Sequence, residues 1–271
     1  TVTASASDVT SGLSSLQYSV DSGALQAGSS ALISIDGMHT VSFRAVDIAG
    51  NITTSSAQTV NVDTVVPTFA LSINGTSGSG SWYVSSINVD SGVADATSGL
   101  GNVQHSVDGG AFQAGSSVTI STDGTHTVSF QATDNAGNTS TSLTQTVKVD
   151  ITVPTFAPSV SGTSGANGWY VSPIQVNSGA ADAASGLGSI QYSLDGGAFQ
   201  AGSSVTISAD GAHTVSFKAV DNAGNAATSP TQTIHIDITG PAITVTLPSA
   251  DGSGGWYKTA PVTVAALAND A

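Results

Sequence analysis

Hydrophobic positions along this chain alternate with polar ones over short stretches. Val128, Phe130 and Ala132 stand out of step with Thr127, Ser129 and Gln131, and Val147 and Val149 alternate with Lys148 and Asp150. A period of two places one face in a core and leaves the other wet, as in a half-buried β-strand. Clusters of Gly, Asn, Asp and Ser interrupt the alternation every eight to twelve residues or so, the rhythm of an all-β sandwich, and no helical period competes with it. For the stretch 64–150 the pattern predicts strands at 69–73, 83–93, 103–107, 111–114, 118–120, 126–133 and 142–149. Asp108, Gly109 and Gly110 separate two of them with residues that accept positive φ in a tight hairpin. The corresponding Asp21, Ser22 and Gly23 suit such a turn less well.

The pattern repeats. Trp82, Trp169 and Trp256 lie 87 residues apart, and the same step relates His39, His126 and His213, Pro67, Pro154 and Pro241, and Asp63, Asp150 and Asp237. Two copies are almost word for word alike, DGGAFQAGSSVTISTDGTHTVSF at 108–130 and DGGAFQAGSSVTISADGAHTVSF at 195–217. Such a period means a tandem array of one small unit. If the segment after Asp63 opens a unit, then 64–150 and 151–237 are complete repeats. The stretch 1–63 then lacks its first strands, and 238–271 is the start of a further repeat. Two explanations account for the open ends: an excerpt of a longer chain, or a subunit whose C-terminal piece completes the N-terminal sandwich of the next by strand donation. The strand-like text shared by 262–266 and 1–5 counts against the second.

Composition narrows what such an array can do. Among 271 residues there are 4 Lys and Arg against 18 Asp and Glu, a formal net charge of −14. A polyanion lacks the cations that neutralise phosphate, so nucleic acid and anionic membrane surfaces are excluded as partners. The absence of Cys removes disulfide staples and thiolate metal sites. No apolar run approaches the ~20 residues that cross a bilayer, so no direct membrane insertion is expected. Aromatic residues are only 6% of the chain. Each Trp and Phe is therefore expected to matter out of proportion to its number.

The succession GWYVSP at 168–173, ASGLGSIQYSLDGGAFQ at 184–200, ADGAHTVSFKAVDNAGN at 209–225 and HIDITGP at 235–241 resembles the tandem bacterial Ig-like repeats of very large surface proteins and of linking modules in secreted glycoside hydrolases. The resemblance covers the whole chain. It implies tandem Ig-like antiparallel β-sandwiches arranged end to end, at a bacterial cell surface or outside the cell, as an adhesin stalk, rod or filament. Expected partners are copies of the same unit, in series or in lateral bundles. The chain departs from the pattern at Ile48, where the other repeats have Asn135 and Asn222, and by a one-residue shift around Lys258 to Pro261.

Two sets of residues carry candidate chemistry. In an Ig-like sandwich the second-to-third and sixth-to-seventh strand loops lie at the end where the chain enters. This gathers Asp63, Asp95, Asp134 and Asn138 in one repeat and Asp150, Asp182, Asp221 and Asn225 in the next, hard oxygen donors suited to calcium. The alternative is that each Asp only caps its own turn, with the Gly of Asp-X-Ala-Gly-Asn left-handed. No other cofactor is required. The second set is the pairs Trp82 and Tyr83, Trp169 and Tyr170, and Trp256 and Tyr257. They are read either as stacking platforms for surface glycans or as plugs of thin cores. His39, His126 and His213 open a strand and are expected to be structural, while His105 and His235 are not expected to be ligands. No enzyme is expected, since His-Glu-X-X-His, Gly-X-Ser-X-Gly, a phosphate loop and a cysteine nucleophile are all missing.

Overall fold

The computed structural model describes residues 1–270. Apart from one 3-10 turn at Ser253–Gly255, its regular elements are all strands. No helix among the described residues is long and apolar enough to cross a membrane. The chain divides into two compact units, one made of Thr1–Thr76 with Ser85–Val149, the other of Ser77–Val84 with the chain from Asp150 onward.

The second unit shows the sandwich most fully. A small antiparallel sheet orders Ser159–Ser161, Ile174–Asn177 and Ser204–Ile207. A larger one orders Trp169–Tyr170, Gln232–Ile236, Gly211–Asp221, Leu187–Leu194 and Gln200–Ala201, with Ala226–Thr228 also paired to the long central strand. Trp169–Tyr170 runs parallel to its neighbour, with Trp169 opposite His235. Period-two alternation sends Ile174, Val176, Val205 and Ile207 inward from one sheet and Val215, Phe217, Ile234 and Ile236 from the other. Beyond this sandwich, Ala242–Thr246 pairs with Ala265–Asn269 in a ladder whose residues are all exposed.

The first unit holds two sets of sheets. Ile87–Asp90 lies between Ser117–Ile120 and Ser72–Asn74, facing Leu100–Val107, Gly124–Asp134 and Gln145–Val149 around a buried Phe130. Earlier in the chain, Leu13–Val20, Gly37–Asp47, Ile52–Thr54 and Gln58–Val62 accompany only a two-stranded partner, Val2–Thr3 with Ser30–Ala31. Its fully buried cluster is Ala31, Val41 and Phe43.

The expected strand at 83–93 is two strands, Trp82–Tyr83 and Ile87–Asp90. Where the chain switches sheets, Ser85 replaces the ladder: its Oγ accepts the Thr76 N–H at 2.8 Å and donates to the Ser86 carbonyl. Pairing stops at Asp90 because Gly92 turns the chain at φ +51°, so close to its neighbour that a Cβ would lie 2.2 Å from the Ala70 carbonyl oxygen. The strands expected at 103–107 and 126–133 extend to Leu100–Val107 and Gly124–Asp134. The one at 142–149 is divided into Thr139–Thr141 and Gln145–Val149. At the hairpins, Asp108 and Gly109 adopt φ +52° and +70°, and Ser22 is held at +58° in the poorer first turn.

One substitution between repeats is legible as a defect. Tyr18 and Tyr192 each donate their hydroxyl to a Gln, Gln26 and Gln200, on the adjoining short strand. His105 occupies the corresponding place, and its Nδ1 is buried without a partner. His105→Tyr is expected to restore the hydroxyl bond to Gln113 and raise stability by about 1 kcal/mol, read as the midpoint shift in urea.

Candidate functional site

In the first unit Asp63, Asp95 and Asp134 converge, each offering a carboxylate oxygen within 4.8 Å of the other two. Each is placed by its own local chemistry. Asp63 leaves the Gln58–Val62 strand and accepts the N–H groups of Val65, at 3.1 Å, and Ser98, at 3.0 Å. Asp95 gathers the N–H groups of Thr97, Ser98 and Gly99 on its Oδ1. Asp134 takes the Ala136 and Asn138 N–H groups on Oδ1 and the Asn138 amide on Oδ2. The same amide reaches the Asp63 carbonyl at 3.1 Å, tying the entering chain to the turn. In that turn Gly137 has φ +98°, the left-handed conformation its place demands.

Asp150, Asp182 and Asp221 form the same constellation in the second unit, again within 4.8 Å. Asp150 is wholly buried and Asp221 nearly so. Asp150 accepts from Thr152 and Ser185, Asp182 from Ser185 and Gly186, and Asp221 from Gly224 and Asn225. The Asn225 amide bonds both Asp221 and the Asp150 carbonyl. Turn capping and convergence are therefore one arrangement, not alternatives.

Three carboxylates so close repel one another, and the donors on them here are neutral amides. Buried charges ordinarily pair or hold a metal. A second feature points the same way: Asp95 Oδ2 is buried and accepts no hydrogen bond. An oxygen kept from water and turned from every donor suits a cation. The donor set is all oxygen, which fits calcium and not the softer metals. Asp63, Asp95 and Asp134, or Asp150, Asp182 and Asp221, would hold such an ion, with water or carbonyl oxygens filling the remaining places.

The structure adds residues that the motif reading passed over. Asp8 and Asp47, 87 residues before Asp95 and Asp134, repeat the capping: Asp8 Oδ1 accepts from Thr10, Ser11 and Gly12, and Asp47 binds both the N–H and the amide of Asn51. The backbone N–H groups of Ser11 and Gly12 lower the Asp8 carboxyl below its ordinary range. The Asn51 amide does the same for Asp47. Their place one 87-residue step before Asp95 and Asp134 is the signal that would have found them.

The aromatic pairs differ among themselves. Trp82 and Tyr83 are half-buried, and the Tyr83 carbonyl accepts the Asp150 N–H. Trp169 is 38% exposed and rests on the His235 ring, centroids 5.0 Å apart, while Tyr170 packs against the core. Trp256 is 77% exposed, and Tyr257 donates its hydroxyl to the Pro248 carbonyl.

A third recurrent feature is a His–Asp pair. His39, His126 and His213 each place Nδ1 2.8–2.9 Å from the carboxylate of Asp21, Asp108 or Asp195 in the hairpin turn. Nε2 of each faces a carbonyl, of Ile35, Thr122 or Ala209. At His39 and His213, with an acceptor at both nitrogens, an imidazolium satisfies the site better than a neutral ring, which carries one N–H. Accordingly the Asp195 bond raises the His213 pKa above 6.5, and the His213 bond lowers that of Asp195 below 3.8. The raised His contributes stability that is complete below 6.5 and lost as pH rises through its folded value. The lowered Asp contributes stability present above 3.8 and lost as pH falls through its own folded value. The pair is therefore strongest between those limits, and His213→Gln is expected to flatten the decline above neutrality. Urea midpoints of both proteins from pH 4 to 9 check this.

This architecture and these recurring turns define Ig-like modules of bacterial type. The bacterial Ig-like domain model matches residues 3–64, 108–151 and 181–238, more than half of the chain, and the chain belongs to that family. Among solved structures, a tetra-tandem repeat from the extending region of a large adhesion protein is 18% identical, covering 87% of this chain and 70% of that one, with a TM-score of 0.32. A structure from a 1.5-MDa bacterial ice-binding adhesin is 17% identical over 84% of this chain and 88% of that one, TM-score 0.33. The fibronectin(III)-like modules of Clostridium thermocellum CbhA are 17% identical over 62% and 93%, TM-score 0.28. No curated protein matches the sequence.

Proposed function

We propose that this chain is a spacer segment of an extracellular bacterial repeat protein, a stalk or adhesin rod, in which calcium at each Asp triad fixes the entering chain to the sandwich it enters. The observation that carries the reading is the recurrence of the same carboxylate triad at the same place in successive repeats, with Asp95 Oδ2 left for a cation. A module that works by holding distance needs no catalytic group. It needs a fixed geometry where the chain passes from one repeat to the next, and three carboxylates from three segments supply one when a divalent ion joins them. The low content of Lys and Arg also leaves few sites for trypsin-like proteases outside a cell.

Extracellular calcium modules bind at about 0.1–1 mM. At ten times the dissociation constant, binding stabilises by about 1.4 kcal/mol, which for modules of this size is about 6–11 °C in melting temperature. Calorimetry with calcium and with chelator is expected to show that gain and its loss. A melting temperature indifferent to chelation removes the metal from the proposal. An electron micrograph of the native material showing compact particles without stalks or fibres removes the spacer role itself.

A further inference from the structure

The second unit contains a cleft that the spacer role does not use. It is a shallow depression open to solvent, bounded by Val160, Gly168, Tyr170, Gln232, Thr233 and Ile234, with about 290 Å³ of space, just under the range of small-molecule sites. It forms because Ser159–Ser161 ends the small sheet and Trp169–Tyr170 ends the large one, so the two edge strands flank an open side of the sandwich. Buried Ile234 belongs to the core, and Val160 and Tyr170 pack against it. Gly168 leaves the lip open: a Cβ there would meet nothing within 4 Å.

Gln232 is the anomaly. Its Oε1 is buried and has no hydrogen-bond partner. The glutamines at the corresponding places are exposed, and their amides are used, Gln145 donating to the Thr146 carbonyl and Gln58 to Ser56 Oγ. A buried amide oxygen without a donor is costly and uncommon. Either orientation of the amide leaves one of its atoms unmatched inside, and a hydroxyl, which both donates and accepts, completes either.

We propose that this cleft is a subsite for a single neutral sugar residue, a role beyond and independent of the spacer reading. A sugar ring carries what the lining lacks. One hydroxyl pairs with Gln232, the others stay in water at the open rim, and the C–H face lies against Tyr170 and Val160. None of the six lining residues is charged, and the chain carries −14, so anionic sugars are disfavoured. One residue in so shallow a cleft implies a dissociation constant in the millimolar range.

The test follows the side-chain amide of Gln232 by ¹⁵N NMR while the whole chain is titrated with glucose, galactose, N-acetylglucosamine and glucuronate. A saturable shift with at least one neutral sugar and none with glucuronate is expected. In Gln232→Leu, which exchanges an unpaired polar group for an apolar one, melting should be unchanged or raised while affinity, read at the Tyr170 resonances, falls tenfold or more. If that variant loses cooperative melting, the unbranched Gln232→Met is titrated instead, with the same loss expected. No response to any neutral sugar, meaning that water alone fills the site, overturns the proposal. So does equal binding of glucuronate, or undiminished affinity in the folded variant.

Discussion

Phe217→Ala is expected to cost the second unit about 3–5 kcal/mol, the largest loss available from one side chain. The ring is 1% exposed and sits among seven other buried residues drawn from both sheets, so its removal leaves a cavity that neighbouring strands, held by their ladders, cannot collapse into. Its backbone N–H is bonded to Ser229 Oγ, which keeps the strand in place while the cavity persists. Phe43→Ala provides the contrast. Phe43 is 8% exposed, and only Ala31 and Val41 join it as buried members of its cluster, the rest of its packing being partly buried, so a smaller loss, about 1–2 kcal/mol, is expected there. Urea midpoints at constant slope measure both. Equal losses would show that the first sandwich core is as complete as the third, contrary to the burial pattern.

That contrast was partly readable in the residues. Alternation at 127–132 placed Phe130 inside before any coordinates, because a period of two has one inward face once one of its members must be buried. Alternation says nothing about which sheet a strand joins, and so 83–93 read as one strand. The break there depends on Ser85 bonding the Thr76 N–H, nine residues away, which no local pattern announces. Convergence of Asp63, Asp95 and Asp134 was foreseeable, since topology alone brings the entry and two loops to one end. The choice between caps and ligands was not. The feature that bears on it is Asp95 Oδ2, an oxygen whose burial depends on the packing of three segments. The His–Asp pairs escaped for a similar reason: Asp195 lies 18 residues before His213, read as a turn residue and not as a partner.

Asp182→Asn separates the two roles of the triad, and its effect is expected to change sign with calcium. Asp182 Oδ1 holds the Ser185 and Gly186 N–H groups at 3.1 and 2.7 Å. An amide oxygen at the same position can accept both, so the turn survives and only a charge is lost. Two carboxylates with oxygens no more than 4.8 Å apart repel by about 3.5 kcal/mol at an effective dielectric of about 20, before water reaching the half-buried Asp182 screens it. Even a third of one such pair is about 1 kcal/mol, or 4–8 °C in a module of this size. In chelator, therefore, the variant should melt higher than the parent, because Asp150 and Asp221 face one charge fewer. In calcium the order should reverse, since the parent gains the binding energy and the variant loses a ligand. A cap alone predicts no crossing, because hydrogen bonds retained by the amide are indifferent to the ion. A crossing of the two melting curves thus requires that the carboxylates act as ligands, and parallel curves assign the triad to turn geometry.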